Sequence, residues 1–132
     1  MINNSFVKAE RLCSKILITN LFSKGNRVIT QFPFRVLWQF VNETQNTHPA
    51  KVMVSVSKRN FPHAVDRNRI KRQMRELYRT KKHLLYEVLK HANKNIVISI
   101  TFQSKTHLKH EELNVAFEQV LQKIMTQIEK AI

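Results

Sequence analysis

Ala64-Val65-Asp66-Arg67-Asn68-Arg69-Ile70-Lys71-Arg72 opens a helix whose polar side is almost wholly cationic. Between Lys58 and Lys82 stand ten Lys or Arg residues and two acids, Asp66 and Glu76. A merely solvated helix mixes its signs and sets acids one turn from its bases. A face this one-sided suits a polyanion: arginine forms bidentate bonds to phosphate and lysine supplies point charge. The helix is expected from about Ala64 to His91. On a wheel of roughly 100° per residue, Met74, Leu77 and Val88 lie within about 40° of Ile70, with Leu84 and Leu85 close by. That is the expected buried stripe. Asn68, Lys71, Arg72, Arg75, Arg79 and Lys82 occupy roughly the 100–200° sector, and Arg67 and Arg69 flank it. The reading is one cationic ridge opposite one apolar seam.

Upstream, Lys58-Arg59-Asn60-Phe61-Pro62-His63 is a connector stopped by proline. Residues 51–57 alternate Val52, Val54 and Val56 with Met53, Ser55 and Ser57, which predicts a strand. Residues 27–41 also favour strand, with Phe34, Val36, Trp38 and Phe40 on one side and Arg35, Leu37 and Gln39 on the other. Pro33 marks an edge position or a bulge in it. The polar stretch 42–49 between the two strands is short, which predicts an antiparallel hairpin. Ser14 can cap a short helix through about Lys24, with Leu17, Leu21 and Phe22 on its apolar side and Gly25 stopping it. Residues 1–13 are expected to be a loose or extended lead-in. Downstream, Asn95–Phe102 is dense in β-branched residues, as a central strand would be. A last helix is expected from about Lys109 to Lys130, with a stripe of Leu113, Phe117, Val120, Leu121, Ile124 and Ile128 and with Glu111 and Glu112 near its start. The order helix, strands, helix, strand, helix gives one small α+β domain over residues 1–132, with helices packed on a sheet.

Composition narrows the function. Lys and Arg number 23 against 9 acids, a net charge of +14 in 132 residues. Such a field draws nucleic acid, anionic membrane or acidic protein. A membrane-surface helix is disfavoured because the apolar seam is committed to the core, and no stretch has the length of a membrane span. One glycine in the whole chain excludes glycine-rich phosphate loops. A single cysteine, Cys13, fits a reducing interior, and no signal peptide is visible. The chain is read as cytoplasmic. One Asp and eight Glu, widely dispersed, do not form the clustered carboxylates of a metal-dependent nuclease. His107 and His110 lack a further ligand set, so no metal site and no catalytic residue is assigned to the chain.

The string Ser55-Val56-Ser57-Lys58-Arg59, then Ala64 to Arg72, then Arg75-Glu76 and Arg79, resembles the signature of the bacterial ribonuclease P protein component. Lys8-Ala9-Glu10-Arg11-Leu12 and Leu21-Phe22-Ser23-Lys24-Gly25 resemble the opening of that family, so the likeness spans nearly the whole chain in one element order. The resemblance implies a protein cofactor of a ribozyme. The catalytic RNA subunit would carry the active site and bind the Mg2+ ions, and would remove the 5′ leader of precursor tRNA. The partners implied are ribonuclease P RNA and precursor tRNA, with no membrane and no obligate protein partner. The fold implied is an α/β sandwich with a mixed sheet and a left-handed β-α-β crossover.

By the same resemblance, the RNA-binding residues are Lys58, Arg59, Arg67, Asn68, Arg69, Lys71, Arg72, Arg75 and Arg79, with Arg72, Arg75 and Arg79 assigned to phosphates. Phe22 matches an aromatic position of a cleft that holds the leader, and Phe34, Val36 and Trp38 fall on the strand lining it. Ile18 stands where an aromatic is expected. Alternating apolar residues such as Phe34, Val36 and Trp38 serve a core equally well. Phe61-Pro62-His63 departs from the family, which has a Gly-Asn pair before Ala-Val. The alternative reading is a plain RNA-binding module, such as a ribosomal or chaperone-like protein, which basic charge and a sheet support as well.

Overall fold

The computed structural model describes residues 10–12, 14–23, 25–42 and 48–131. The expectations for residues 1–9, Cys13, Lys24 and the turn residues 43–47 lie outside them. The elements run α1 Lys15–Ser23, β1 Arg27–Gln31, β2 Phe34–Val41, β3 Ala50–Val56, α2 Ala64–Ala92, β4 Asn95–Phe102 and α3 His110–Lys130. Local chemistry sets most of the boundaries. Ser14 Oγ accepts the Leu17 N–H at 3.4 Å, capping α1. Gly25 adopts φ +78 just beyond it, and the Asn26 side-chain amide donates to the Leu21 carbonyl at 2.6 Å. At the end of α2, Asn93 takes the left-handed conformation that asparagine tolerates, φ 55, and turns the chain toward β4. Lys109 precedes α3 with no side-chain cap, and Glu111 and Glu112 occupy its first turn.

The sheet has four strands in the order β1-β2-β4-β3. Two expectations fail here. Residues 27–41 are two strands, not one: the chain reverses at Phe32-Pro33, and β1 pairs antiparallel with β2 from Arg27↔Trp38 to Gln31↔Phe34. Pro33 therefore sits in a turn, where its missing N–H is no loss, and neither on an edge nor at a bulge. The second failure is the β2–β3 hairpin. β4 lies between them, antiparallel to β2 and parallel to β3. The reason is in β4 itself. Ile96, Val97, Ile98 and Ile100 are all fully buried, on both faces, so an edge position would expose apolar surface. The parallel β3–β4 pair needs a long crossover, and α2 supplies it.

Both faces of this mixed sheet are covered, unequally. α2 and α3 pack on one face over Phe34, Val36, Trp38, Ile98, Ile100 and Phe102. Phe34 meets Phe117 of α3 edge-on at 5.5 Å, and Trp38 donates its indole N–H to Gln127 at 2.8 Å. On the other face α1 covers a small cluster of Leu12, Leu21, Leu37 and Val97. Phe34, Val36 and Trp38 are 1%, 0% and 0% exposed. Their assignment to a leader cleft is corrected: they are core under the two long helices, and no ligand reaches them.

Candidate RNA interface

α2 carries the ridge as expected, with changes in its membership. Ile70, Met74, Leu77, Tyr78, Leu85 and Leu89 form the buried seam, whereas Leu84, expected beside it, is exposed. Asn68, Arg69 and Arg72 are exposed, and Lys71 and Arg75 are half-buried along their stems. Lys58 and Arg59 stand exposed in the turn before α2, which the Ser57 hydroxyl closes by accepting the N–H groups of Arg59 and Asn60. Among the described residues, no ion pair involves Lys58, Arg59, Arg69, Lys71, Arg72 or Arg75. Their charge faces solvent beside the positive end of the helix dipole.

Three other cations are engaged inside the molecule. Arg67 donates to the Phe61 and Pro62 carbonyls at 2.9 and 2.8 Å, so part of its guanidinium holds the path into α2. Arg79 pairs with Glu76 at 2.5 Å, and that bond chiefly holds the Glu76 carboxyl below its usual range. Lys82 was expected on the ridge and is 3% exposed. It is bound to Glu10 and is removed from the RNA-facing set. Asp66 occupies the first turn of α2 and lies 3.8 Å from His107, whose ring meets that of Phe61 at a tilt, 5.0 Å between centroids.

The second feature is the sheet face on the α1 side. Ile18 packs half-buried on the small cluster, and Phe22 is 53% exposed on α1. Both residues thus lie on the α1 side of the sheet. The strand residues that face the same way have the opposite parity to those expected. Thr30, Arg35, Thr101 and Ser55 form one row across all four strands, and the Ser55 and Thr101 hydroxyls lie 3.0 Å apart. Leu37, Ser99 and Met53 form the next row. The row ends one residue before Val56, so it adjoins the Lys58–Arg59 turn. Serine and threonine at alternate positions of an otherwise apolar β4 were the visible sign of this face.

Comparison with known proteins places the chain by family and fold. A profile of the Ribonuclease P family matches residues 6–125. The chain belongs to that family. It is similar to the ribonuclease P protein component of Porphyromonas gingivalis, 38% identical over 95 residues, which are 72% of this chain and 66% of the relative. It is 40% identical to that of Chlorobium phaeobacteroides over 84 residues, 63% of this chain and 58% of the relative. The chain thus spans less than two thirds of the length of these relatives. Among solved structures, the RNase P protein from Thermotoga maritima shares the fold with a TM-score of 0.66 at 18% identity, covering 86% of this chain and 96% of that one. A Staphylococcus aureus RNase P protein gives 0.61 at 24% identity, covering 89% and 96%.

Proposed function

We propose that this chain is the protein subunit of ribonuclease P, acting in the removal of 5′ leaders from precursor tRNA. The observation that carries the reading is the set of solvent-facing cations from Lys58 to Arg75, in no ion pair among the described residues, next to the polar row through Arg35 and Thr101. Arg72 and Arg75 bind phosphates of the RNA subunit, assisted by Lys58, Arg59, Asn68, Arg69 and Lys71. The free edge of Arg67 joins them, and Arg79 does so once it exchanges Glu76 for phosphate. The single-stranded leader lies over Phe22, Ile18 and the row of Arg35 and Thr101. An exposed aromatic ring stacks on an unpaired base, and the hydroxyls and guanidinium meet its backbone. The protein lowers repulsion between two polyanions, the catalytic RNA and the precursor.

Among the described residues, no three His, Cys, Asp or Glu side chains gather as metal ligands. In this reading the Mg2+ of the reaction belongs to the RNA, and no step is routed through a metal held by this chain. No helix among the described residues is long and apolar enough to cross a membrane, and the proposed place of work is the cytoplasm.

The test is reconstitution with RNA from the same cell. Added protein is expected to raise the cleavage rate of a precursor tRNA at low Mg2+; no gain would sink the reading. Affinity for tRNA with and without a short 5′ extension separates it from a plain RNA-binding module, for which the two would be equal. Six phosphate contacts on a duplex would give a slope of roughly −5 in log K against log salt.

A further inference from the structure

α1 lies over one face of the sheet, yet little holds it. Nine residues are too few for a helix stable on its own. Its fully buried support is Leu21 against Leu12, Leu37 and Val97. What fixes it lies just before it in the chain. Residues 10–12 wrap the β3 edge of the sheet from one face to the other. Leu12 donates its N–H to the Val52 carbonyl at 3.0 Å and drops into the α1 cluster. Glu10 turns to the opposite face and meets α2. Its carboxylate is 0% exposed and accepts two bonds from the Lys82 ammonium, at 2.7 and 2.5 Å. It also accepts a short bond from the Tyr86 hydroxyl, whose own neighbour is Tyr78 at 3.4 Å. A buried carboxylate bound by an ammonium and a phenol is held in one place, since every alternative position leaves a charge unpaired away from water.

We infer that Glu10 is a positioning residue for the 5′ leader: clamped by Lys82 and Tyr86, it fixes Leu12 and thereby the angle of α1 over the sheet. The inference rests on the function proposed above. It gives the lysine missing from the cationic ridge a task. Lys82 serves RNA from beneath, by joining the helix that binds the catalytic RNA to the wall that receives the leader.

The experiment compares the whole protein with Glu10→Gln and with the double variant Glu10→Met/Lys82→Met, each reconstituted with the RNA subunit. The readout is the affinity for precursor tRNA divided by that for mature tRNA, with hydrogen exchange of the α1 amides alongside. Glu10→Gln leaves an ammonium buried without its counter-charge, whereas the double variant removes both charges and keeps the volume. The single variant is expected to lose on the order of tenfold in the leader-dependent ratio. Its α1 amides should exchange faster, while affinity for mature tRNA stays at the wild-type level. The double variant is expected to recover the ratio, and it decides the matter where the single variant fails to fold. An unchanged ratio or unchanged α1 exchange in a folded Glu10→Gln protein overturns the inference. So does an equal loss for mature tRNA, or a folded double variant that lacks the leader gain. If the wild type itself shows no leader-dependent gain, the proposed function falls with it.

Discussion

The two faces of the sheet are built from the same strands and behave as different materials. Under α2 and α3 the strands present Phe34, Val36, Trp38, Ile98, Ile100 and Phe102, all essentially inaccessible and closed over by two long helices. Under α1 the opposite parity presents Leu37, Val97 and Met53 at one end and a polar row through Arg35 and Thr101 at the other. The first face is sealed by dispersion and area, and nothing there can be given up without a cavity. The second is half sealed, and its open half is where a ligand can lie. On the proposed function, stability and recognition fall to the two sides of one pleated sheet, and period-two alternation is enough to encode that division.

The sharpest way to break the comparison is to truncate one residue on the sealed face. Phe34→Ala is expected to cost about 3–5 kcal/mol of folding stability, the range for a buried aromatic. Urea unfolding at equilibrium would measure it. A loss under about 1 kcal/mol, with leader binding abolished, would return Phe34 to the cleft. The same face can be tested without mutation. Tyr78 and Tyr86 are the only tyrosines in the chain, and burial is the leading cause that pushes both hydroxyls above the ordinary tyrosine value of 10.0. Glu10, Lys82 and the His48 ring are the charged or titratable groups facing them. A folded-state value raised above the unfolded one contributes stability that is complete below the unfolded value and is lost as pH rises beyond it. Tyrosinate absorbance is therefore expected to stay absent in the folded protein past pH 10.0 and to appear only together with loss of circular dichroism. Normal titration of either tyrosine in a folded chain would contradict the buried cluster.

On the thin face the expected effect is smaller and local. Leu21→Ala removes a fully buried side chain from a cluster that can relax around it, so about 2 kcal/mol is expected, the low end for leucine. The loss should register as faster amide exchange in α1, with protection in α2 unchanged. Equal acceleration everywhere would mean that the two faces unfold as one unit.

How much of this division the sequence announced depends on the element. The density of β-branched residues in Asn95–Phe102 marked a central strand correctly, because apolar residues at both parities have no other economical position. Strand neighbours were not legible. Alternation says which residues share a face and is silent on which strand lies alongside, so the short gap before β3 suggested a hairpin that β4 in fact interrupts. Phe34, Val36 and Trp38 were placed on the wrong side of β2 for a related reason. Either side of β2 can be core, and which one is depends on where the two long helices land. Lys82 was beyond reach altogether: its partner Glu10 lies 72 residues away, and nothing local distinguishes a buried lysine from a solvated one. Arg79 and Glu76, three apart on one helix, were within reach.

On the ridge the effects concern binding alone. Arg72→Ala is expected to weaken RNA binding by about 1.5 kcal/mol, near tenfold, whatever the RNA sequence. The salt slope should become shallower by roughly one unit, since one phosphate contact is lost. Loss confined to a single leader sequence would show that Arg72 reads bases.

The smallest effect separates a free cation from an engaged one. Arg79 is held by Glu76 through two bonds, whereas no described carboxylate pairs with Arg72. Before Arg79 can grip phosphate it must exchange one anion for another, and an exposed pair of this kind is weak and screened by salt. Arg79→Ala should therefore weaken RNA binding less than Arg72→Ala does. Glu76→Gln should strengthen it a few-fold, by freeing the guanidinium and removing a negative charge from the ridge. Because the Arg79 bond depresses the Glu76 carboxyl, the pair persists as pH falls through the ordinary glutamate value and breaks only below it. The advantage of Glu76→Gln should accordingly be constant across neutral and mildly acidic pH. If Glu76→Gln binds RNA no better than the wild type at low salt, Arg79 is a brace for α2 and stands outside the interface.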